Sequence, residues 1–319
     1  MTAAKQNEAA KQDEKVRDFF NRISDGYSEK YSEHNPFHHW YFNERLHTAT
    51  GEGKIDFNGK TILDIGTGTG ALYDFLTAKG FSRMTFIGCD VAEQMTEATR
   101  LPKENRFTGH CYEIVFPIKR FDYVFVLGVT TYMDGTERDR TFDFIQRSLS
   151  EEGTAVISFT NKASLDQISH SIARPFLRVF QARNRVSGQS FRTYSYTKKQ
   201  IRELLDKRFR FEKLIDINQT VFPFNHLFPR SAIRVARFIQ RIIPGSRLLH
   251  FLSAECLAVL KARTAGRPAP ETVPGAPLLL EGLGAADSYL TTDAPLVPEE
   301  RETSGLAPAG NGKERGSIG

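Results

Sequence analysis

The sequence is poor in cysteine and has no long apolar run. Its three cysteines, Cys89, Cys111 and Cys256, are widely separated, so they lack the close spacing that is typical of metal sites. This small, odd number favours reduced thiols in a cytoplasmic protein over a disulfide-bonded secreted one. The chain lacks any run of about 18 apolar residues, so no membrane-spanning helix is predicted. The stretch from Met1 to Glu8 has no apolar core, so no secretory leader is expected.

The composition is otherwise that of a globular protein, with 40% hydrophobic and 25% charged residues. A chain of 319 residues suffices for one large domain or two small ones. The formal net charge of +5 is unevenly distributed. Between Ile168 and Arg241 there are sixteen Lys or Arg residues but only four Asp or Glu residues. Such a basic region can bind an anionic partner, which keeps membrane surfaces and nucleic acids among the alternatives.

The most informative stretch runs from Thr61 to Gly70 and reads TILDIGTGTG. Its apolar first half predicts a buried strand. The strand is followed by a predicted tight turn with three glycines spaced two apart: Gly66, Gly68 and Gly70. Helical spacing of apolar residues resumes at Ala71. A strand, a glycine-rich turn and a helix form a nucleotide-binding corner, because glycine lets a ligand approach the backbone and the helix N-terminus offers N–H groups.

Two cofactors are compatible with this corner. Gly66, Gly68 and Ala71 fit the relaxed G-x-G-x-x-A fingerprint of NAD-dependent oxidoreductases. The stretch LDIGTGTG also resembles the first motif of class I S-adenosyl-L-methionine (SAM)-dependent methyltransferases. Asp64 favours SAM, since a carboxylate beside the loop attracts an amino group and a sulfonium but repels a pyrophosphate. We therefore expect a SAM-dependent methyltransferase, with an NAD-dependent oxidoreductase and a non-catalytic SAM-binding module as alternatives.

Strand-like apolar runs alternate with helical segments through the core, which favours an α/β fold with a doubly wound, mostly parallel sheet. The resemblance to class I methyltransferases extends from Val16 to Lys261 and implies seven strands, of which the last is antiparallel. The predicted strands are residues 61–65, 84–89, 106–108, 121–127, 154–159, 211–217 and 255–260. Helices are predicted over residues 138–149 and 196–205.

Asp90 is the second element of the predicted cofactor site. It lies 20 positions after Gly70, at the carboxyl end of the second strand, where an acid can accept hydrogen bonds from both ribose hydroxyls. The resemblance implies further cofactor contacts in the loop, after the strands and in an N-terminal helix: Tyr27, Thr67, Val91, His110, Cys111 and Leu127. Many methyltransferases of this class hold the adenine amino group with an acid near the position of Gly109. This chain has His110 there, so His110 or backbone groups are expected to take that role.

An aromatic-rich segment precedes the core and helps to set the predicted boundaries. Residues 1–15 are predicted to be flexible, and residues 16–50 to form a helical aromatic cap. The cap resembles the lead-in helix of quinone-pathway and small-molecule methyltransferases, which implies that it partly covers the cofactor; plain core packing is the alternative. A SAM-binding methyltransferase domain is expected at 51–263. The tail at 264–319 is rich in Pro, Gly, Ser and Thr and is predicted to be disordered.

Few residues can be assigned to the chemistry from sequence. In methyl transfer the sulfonium supplies the reactivity, so the enzyme mainly orients the acceptor and receives its proton. No motif marks the proton acceptor, and the candidates are His38, His110 and Tyr132. His34 and His38 are four positions apart, which could suggest a metal site, but Pro36 disfavours a regular helix between them. Since no acid cluster accompanies them, no metal is predicted.

Helical insertions are predicted at 161–195 and 219–254, at the sheet edge where ligands bind in this fold. Helical spacing over 168–185 and over 231–243 places apolar residues on one side and arginines on the other. These apolar faces either roof an acceptor pocket or lie on an anionic membrane. Either arrangement predicts a small hydrophobic or lipid-like acceptor, methylated on oxygen in preference to carbon. Nucleic acid is disfavoured as acceptor, because no Asn-Pro-Pro-Tyr motif follows the fourth strand, and the oligomeric state is left open.

Overall fold

The computed structural model describes residues 3–169, 191–219, 224–243 and 245–263. These residues belong to one structural unit, Met1–Arg267, and a second unit comprises Pro268–Gly319. The tail that was predicted to be disordered therefore lies outside the described residues. Most of the first predicted insertion, residues 170–190, also lies outside them.

The described residues contain one seven-stranded sheet. Its strands are β1 Thr61–Ile65, β2 Thr85–Asp90, β3 Arg106–Thr108, β4 Phe121–Val126, β5 Leu149–Thr160, β6 Phe209–Gln219 and β7 Ser253–Ala262. Their spatial order is β3-β2-β1-β4-β5-β7-β6. The first five strands pair in parallel, and β7 lies antiparallel between β5 and β6. The predicted doubly wound, mostly parallel sheet with an antiparallel last strand is thus confirmed.

Helices cover both faces of this sheet. They are α1 Ala3–Lys30, α2 Pro36–Ala49, α3 Ala71–Ala78, α4 Glu93–Glu97, α5 Gly135–Ser148, α6 Lys198–Leu205, α7 Phe224–Leu227, α8 Pro229–Ile242 and α9 Arg247–Leu252. Leu63 of β1 shares one buried cluster with Phe142 of α5 and Ile201 of α6, whereas Ile62 shares the other with Leu72 of α3. Alternate side chains of a strand point to opposite faces, so burial on both faces explains why β1 is almost continuously apolar.

The structure moves the start of the helix that was predicted over 138–149. α5 begins at Gly135, because Asp134 caps its N-terminus. The Asp134 carboxylate accepts hydrogen bonds from the N–H groups of Thr136 and Glu137 at 2.7 and 2.9 Å. The additional turn brings Glu137 into the helix.

The strand predicted over 154–159 is also longer in the structure. β5 begins at Leu149, and its pairing with β4 is irregular between Phe121 and Tyr123. Gly153 allows this irregularity, because a Cβ at that position would lie 2.9 Å from the Phe121 carbonyl oxygen. Residues 149–153, which precede the predicted start of the strand, are therefore part of it.

Two helices form the N-terminal cap, and the first is longer than predicted. α1 begins at Ala3, so the described part of residues 1–15 is helical, as its Ala, Lys, Gln and Glu residues favour. Gln12 also exchanges hydrogen bonds with the backbone of Arg192 at 2.8 and 3.0 Å. α2 begins at Pro36, a favourable residue for the first turn, which leaves His34 outside the helix.

The second predicted insertion contains α7, α8 and α9. Ala232 and Ala236 of α8 pack in one buried cluster with Phe37 and Trp40 of α2. The small side chains allow the two helices to approach closely. Within the described residues, no helix combines enough length with enough hydropathy to span a bilayer.

Candidate active site

The glycine loop between β1 and α3 requires glycine at two of its positions. Gly66 and Gly70 have φ angles of 76° and 83°. A Cβ at Gly66 would lie 2.2 Å from Val129 Cγ2, and one at Gly70 would lie 2.0 Å from Thr99 Oγ1. The Gly66 N–H donates a hydrogen bond to the carbonyl oxygen of Cys89 in β2 at 2.7 Å. The loop thus presents a fixed backbone at the carboxyl edge of the sheet.

Asp90 lies at the end of β2 and ties the loop to this strand. Its Oδ2 accepts a hydrogen bond from the Gly68 N–H at 3.0 Å, and its Oδ1 accepts one from the Ala92 N–H at 2.9 Å. Burial raises the pKa of Asp90, and these backbone hydrogen bonds oppose the rise. Each carboxylate oxygen has a second lone pair, so Asp90 can also accept hydrogen bonds from two vicinal ribose hydroxyls.

A small cavity of about 90 Å³ lies beside Asp90. Five predicted cofactor residues that follow the strands line it: Asp90, Val91, His110, Cys111 and Leu127. The cap helix α1 contributes three apolar or aromatic side chains to its wall: Val16, Phe20 and Tyr27. An apolar wall with a carboxylate at one side suits an adenosine, and α1 covers it.

His110 joins α1 to the core at this cavity. Its Nε2 lies 3.3 Å from Asp13 Oδ2 of α1, and its Nδ1 lies 3.5 Å from Glu137 Oε1 of α5. Burial lowers the pKa of His110, but the hydrogen bond to Asp13 and the charges of both carboxylates outweigh burial and raise it. Burial raises the pKa of Glu137 to about 7. His110 therefore bridges a carboxyl group of α1 and one of α5 beside the cavity.

A larger cavity of about 720 Å³ adjoins the small one. The two share lining residues in the loop, after β4 and in the cap: Tyr27, Gly66, Gly68, Leu127, Gly128 and Tyr132. Aromatic side chains form much of the wall of the larger cavity: Tyr27, Tyr31, Tyr41, Phe42, Tyr132 and Tyr194. This volume lies within the range of small-molecule sites.

A buried ion pair faces the larger cavity. Arg45 Nε of α2 lies 2.9 Å from Glu255 Oε1 of β7, and Asn218 Nδ2 donates a hydrogen bond to Glu255 Oε2 at 2.9 Å. The side chains of Arg45 and Glu255 are only 14% and 4% exposed. The guanidinium lies over Gly128, where a Cβ would come within 2.8 Å of Nη1. A fixed positive group therefore stands at the carboxyl end of β4.

Burial raises the pKa values of several side chains in the cavity walls. It raises the pKa of Tyr132 to about 12 and raises the pKa values of Tyr27 and Tyr41 further. These three hydroxyls remain protonated at neutral pH and can donate hydrogen bonds. Burial, assisted by the charge of Asp90, raises the pKa of Asp64 to about 7. A nearby cation would favour the ionised form of Asp64 and lower its pKa.

Most of the predicted site residues line one of the two cavities, but two do not. Gly70 instead forms the N-cap of α3. His38 lies in α2 beside the rings of Tyr31 and Phe37 and lines neither cavity. His110 lines only the small cavity, and Tyr132 lines both. The roles assigned to the lining residues stay predictions.

The sequence interpretation missed several lining residues: Phe20, Tyr31, Tyr41, Arg45, Glu137 and Glu255. Glu255 had a signal, because it is a single acid within the apolar run SAECLAVL, and a buried charge needs a partner. Its partner Arg45 is 210 positions away. No local pattern links two residues so far apart.

The described residues contain two separate clusters, each of which brings together three side chains of types that can bind metals. They are Asp13 with His110 and Glu137, and Asp216 with His250 and Cys256. Neither group contains His34 or His38. In the second group, Asp216 Oδ1 lies 2.8 Å from His250 Nδ1, and Asp216 Oδ2 lies 2.7 Å from Lys198 Nζ. Both oxygens of this buried carboxylate are thus paired, and the network joins α6, β6 and α9.

The two predicted insertions differ in their relation to these two cavities. Within the described residues, the walls of the two cavities contain no residue of α7, α8 or α9. The helix α8 instead packs against α2 through Ala232 and Ala236 and leaves Val235, Phe238 and Ile242 exposed. The first insertion does contribute to the larger cavity: Lys162, Gln167, Ile168, Thr193, Tyr194 and Ser195.

Known protein families and structures resemble this chain in sequence and in fold. Residues 63–157 match a family model described as a methyltransferase domain. No curated protein matches the chain significantly. One similar structure is a chain of the Haloferax volcanii complex between the Trm112 methyltransferase activator and its candidate methyltransferase. That chain is 17% identical with a TM-score of 0.52, and the alignment covers 79% of this chain and 100% of that chain.

A second similar structure is magnesium protoporphyrin IX methyltransferase from Synechocystis PCC 6803 with bound SAH. It is 14% identical with a TM-score of 0.51, and the alignment covers 79% of this chain and 100% of that chain. At these identities the likeness concerns the fold. The described loop fits the cofactor, because a Cβ would fill its cradle at Gly66 and the carboxylates of Asp64 and Asp90 lie beside it. The methyltransferase-domain match at residues 63–157, the sheet order and this loop identify a SAM-dependent methyltransferase that has the class I fold and S-adenosyl-L-methionine as its cofactor.

Proposed function

We propose that the enzyme methylates an acidic oxygen of a small apolar molecule that binds in the larger cavity. The observation that carries this proposal is a cavity of about 720 Å³ that adjoins the glycine loop and combines an aromatic wall with the buried Arg45–Glu255 pair. Aromatic walls suit an apolar acceptor, and a few polar groups fix its orientation.

In this proposal the cofactor spans the two cavities. Asp90 accepts hydrogen bonds from the ribose hydroxyls, and Asp64 attracts the positively charged methionine portion beside Gly66. Glu137 takes the place of the acid that is missing near Gly109 and accepts a hydrogen bond from the adenine amino group. The support for this role is that Glu137 lines the small cavity together with His110. When bound, SAM supplies a methyl group activated by its sulfonium.

The polar groups of the larger cavity favour an acceptor whose oxygen is already ionised. Tyr27, Tyr41 and Tyr132 are protonated donors, and Arg45 is a fixed cation. Among the described residues of this wall there is no histidine, and the only carboxyl groups are those of Asp64 and Glu255. A site with many donors and few bases stabilises an anionic oxygen better than it removes a proton.

A carboxylate or a phenolate meets this requirement. Its oxygen lone pair can form the new bond to the methyl carbon as the carbon–sulfur bond breaks, and no protein base is needed. Methylation of carbon would require a base to remove a proton from that carbon. The tyrosine hydroxyls and Arg45 orient the oxygen, so orientation is the main contribution of the protein.

The proposal is tested first on binding and then on turnover. Calorimetry should detect SAM binding with Kd in the micromolar range, corresponding to about 8 kcal/mol, and no binding of NAD. The enzyme is then incubated with labelled SAM and four compounds that share one aromatic skeleton and carry a carboxylate, a phenol, an aliphatic alcohol or an amine. Mass spectrometry and mild alkaline hydrolysis identify methyl esters and methyl ethers.

Label is expected in the carboxylate or the phenol product. Label on carbon, or transfer only to the alcohol or the amine, would contradict the acidic-oxygen proposal without affecting the SAM assignment. SAM binding without product from any of these compounds or from a metabolite extract would favour the non-catalytic alternative. Binding of NAD but not of SAM would overturn the assignment of SAM as the cofactor.

A further inference from the structure

The exposed large apolar side chains are concentrated in one segment of the chain. The described residues expose ten such side chains, and eight of them lie between 224 and 251. These eight are Phe224, Leu227, Phe228, Val235, Phe238, Ile242, Leu248 and Phe251. Five exposed arginines lie in the same segment: Arg230, Arg234, Arg237, Arg241 and Arg247. We refer to these thirteen residues as the basic apolar surface.

The helix α8 buries two alanines and leaves three large apolar residues exposed. Ala232 and Ala236 are buried against α2, whereas Phe238 is 63% exposed. Val235, Phe238 and Ile242 recur at spacings of three and four, so they form one stripe along the exposed side of the helix. A core-packed amphipathic helix has the opposite arrangement, with its large apolar residues buried. Among the described residues, the stripe is therefore an exposed apolar surface that a partner could cover.

Charge identifies the chemistry of that partner. The segment from Phe224 to Leu252 contains five arginines and neither Asp nor Glu. None of these arginines forms an ion pair within the described residues, although the charge of Arg237 acts on Glu44. Arg230, Arg234, Arg237 and Arg241 follow one another at spacings of four, three and four and form a row along α8 beside the apolar stripe. A partner must therefore be anionic where the arginines reach it and apolar where the stripe enters it.

We propose that the basic apolar surface binds an anionic lipid membrane. A lipid surface offers both chemistries at the required places, because headgroups carry the negative charge and acyl chains lie just below them. The aliphatic stems of the arginines can lie along the apolar stripe while their guanidinium groups reach the phosphates. Each arginine near an anionic surface also adds a favourable electrostatic contribution.

The test uses the full-length protein and its SAM complex with two kinds of vesicle. One kind contains phosphatidylcholine alone, and the other contains phosphatidylcholine with phosphatidylglycerol. Sedimentation with the anionic vesicles at low salt is expected, with little sedimentation with the neutral ones. Raising the salt to about 0.5 M should weaken binding strongly, because exposed charges are then screened within a few ångströms.

Variants separate the apolar and the basic contributions. Replacing Val235, Phe238 and Ile242 together by serine should weaken vesicle binding about tenfold or more, since three buried apolar side chains are lost from the membrane. The double variant Arg234→Gln and Arg241→Gln should weaken binding and reduce its salt dependence. Matched controls are Val115→Ser, which removes a side chain that is 93% exposed elsewhere, and Arg83→Gln.

Both controls should bind vesicles like the unchanged protein. All variants should retain SAM affinity, since no residue of the basic apolar surface lines either of the two cavities beside the glycine loop. This readout shows that a variant is folded and keeps the test independent of the proposed methylation reaction. Absence of binding to anionic vesicles at low salt, or binding that the serine variant leaves unchanged, would overturn the proposal.

Two other occupants of this surface give different results. If a second copy of the chain covers it, the unchanged protein is dimeric by light scattering and the serine variant is monomeric. If residues 268–319 cover it, vesicle binding appears only when they are deleted; this region has more acidic than basic residues. Either result would overturn the membrane assignment.

Discussion

Arg45 and Glu255 are 210 positions apart in the chain, yet their side chains form a buried ion pair with 2.9 Å between Nε and Oε1. Arg45 belongs to the N-terminal cap and Glu255 to the last strand of the sheet. The pair therefore joins the two ends of the described chain at the wall of the larger cavity. Asn218 of β6 adds a third contact to the carboxylate. The position of the cap over the sheet thus depends on a charge pair as well as on apolar packing.

Removing one partner of this pair should cost more stability than removing both. Arg45→Met leaves Glu255 buried without its counter-charge, and we expect a loss of about 3–5 kcal/mol in the free energy of unfolding. The double variant Arg45→Met with Glu255→Leu should recover much of this loss. Chemical denaturation of the four proteins of the cycle gives the coupling energy. Arg210 and Glu212 form an exposed pair at the same 2.9 Å, and Arg210→Met should cost less than about 1 kcal/mol. Equal losses from Arg45→Met and Arg210→Met would contradict this interpretation.

Asp90→Ala should reduce SAM affinity about tenfold or more, because charge-assisted hydrogen bonds contribute about 1.5–3 kcal/mol. The Gly68 N–H also loses its acceptor, so the glycine loop becomes less ordered. Asp122→Ala is a matched control, since Asp122 also accepts a backbone hydrogen bond, from Thr61 at the start of β1. The control should lower the melting temperature and leave SAM affinity intact in calorimetry. Unchanged affinity in a folded Asp90→Ala variant would remove Asp90 from the site.

SAM affinity should rise between about pH 6 and about pH 8, because the pKa of Asp64 in the free protein is raised to about 7 and the cationic ligand binds its ionised form. The stability of the folded protein changes with pH in the opposite direction. When folding raises the pKa of a carboxyl group, the protein loses stability as the pH rises from the unfolded-state pKa to the folded-state pKa. Asp64→Asn should therefore increase the melting temperature at pH 8, weaken SAM binding and flatten its pH profile. A profile that keeps its slope in Asp64→Asn would assign the titration to another group.

The attachment of α1 to the core should weaken as the pH rises above neutral. Folding raises the pKa of His110, so its contribution is complete below its unfolded pKa and is lost as pH rises through the folded value. Burial of the Glu137 carboxyl group acts in the same direction, since its pKa is raised to about 7. Hydrogen exchange corrected for intrinsic rates should show α1 better protected at pH 6 than at pH 8.5. His110→Gln should reduce this difference, whereas His47→Gln, at an exposed position in α2, should not. Equal protection of α1 at both pH values in the unchanged protein would rule out this attachment.

The cofactor corner could be predicted from sequence because its determinants are local. The three glycines, Asp64 and the strand before them are contiguous, and Asp90 follows at the end of the next strand. Backbone conformation and strand order then bring these residues to one edge of the sheet, whatever the rest of the chain does. Alternation of strands and helices likewise determined the fold class, since each strand buried on both faces appears as its own short apolar run.

The wall of the larger cavity and the exposed surface of α8 were determined only by the tertiary structure. Arg45 and Glu255 meet because the cap folds back over the sheet. The sequence around either residue does not predict the other as its ion-pair partner. The same limitation applies to α8. Its helical spacing showed an amphipathic helix, but amphipathicity does not say which side packs inward. The side with Ala232 and Ala236 packs against α2, because small side chains allow close helix packing. Val235, Phe238 and Ile242 are therefore left exposed.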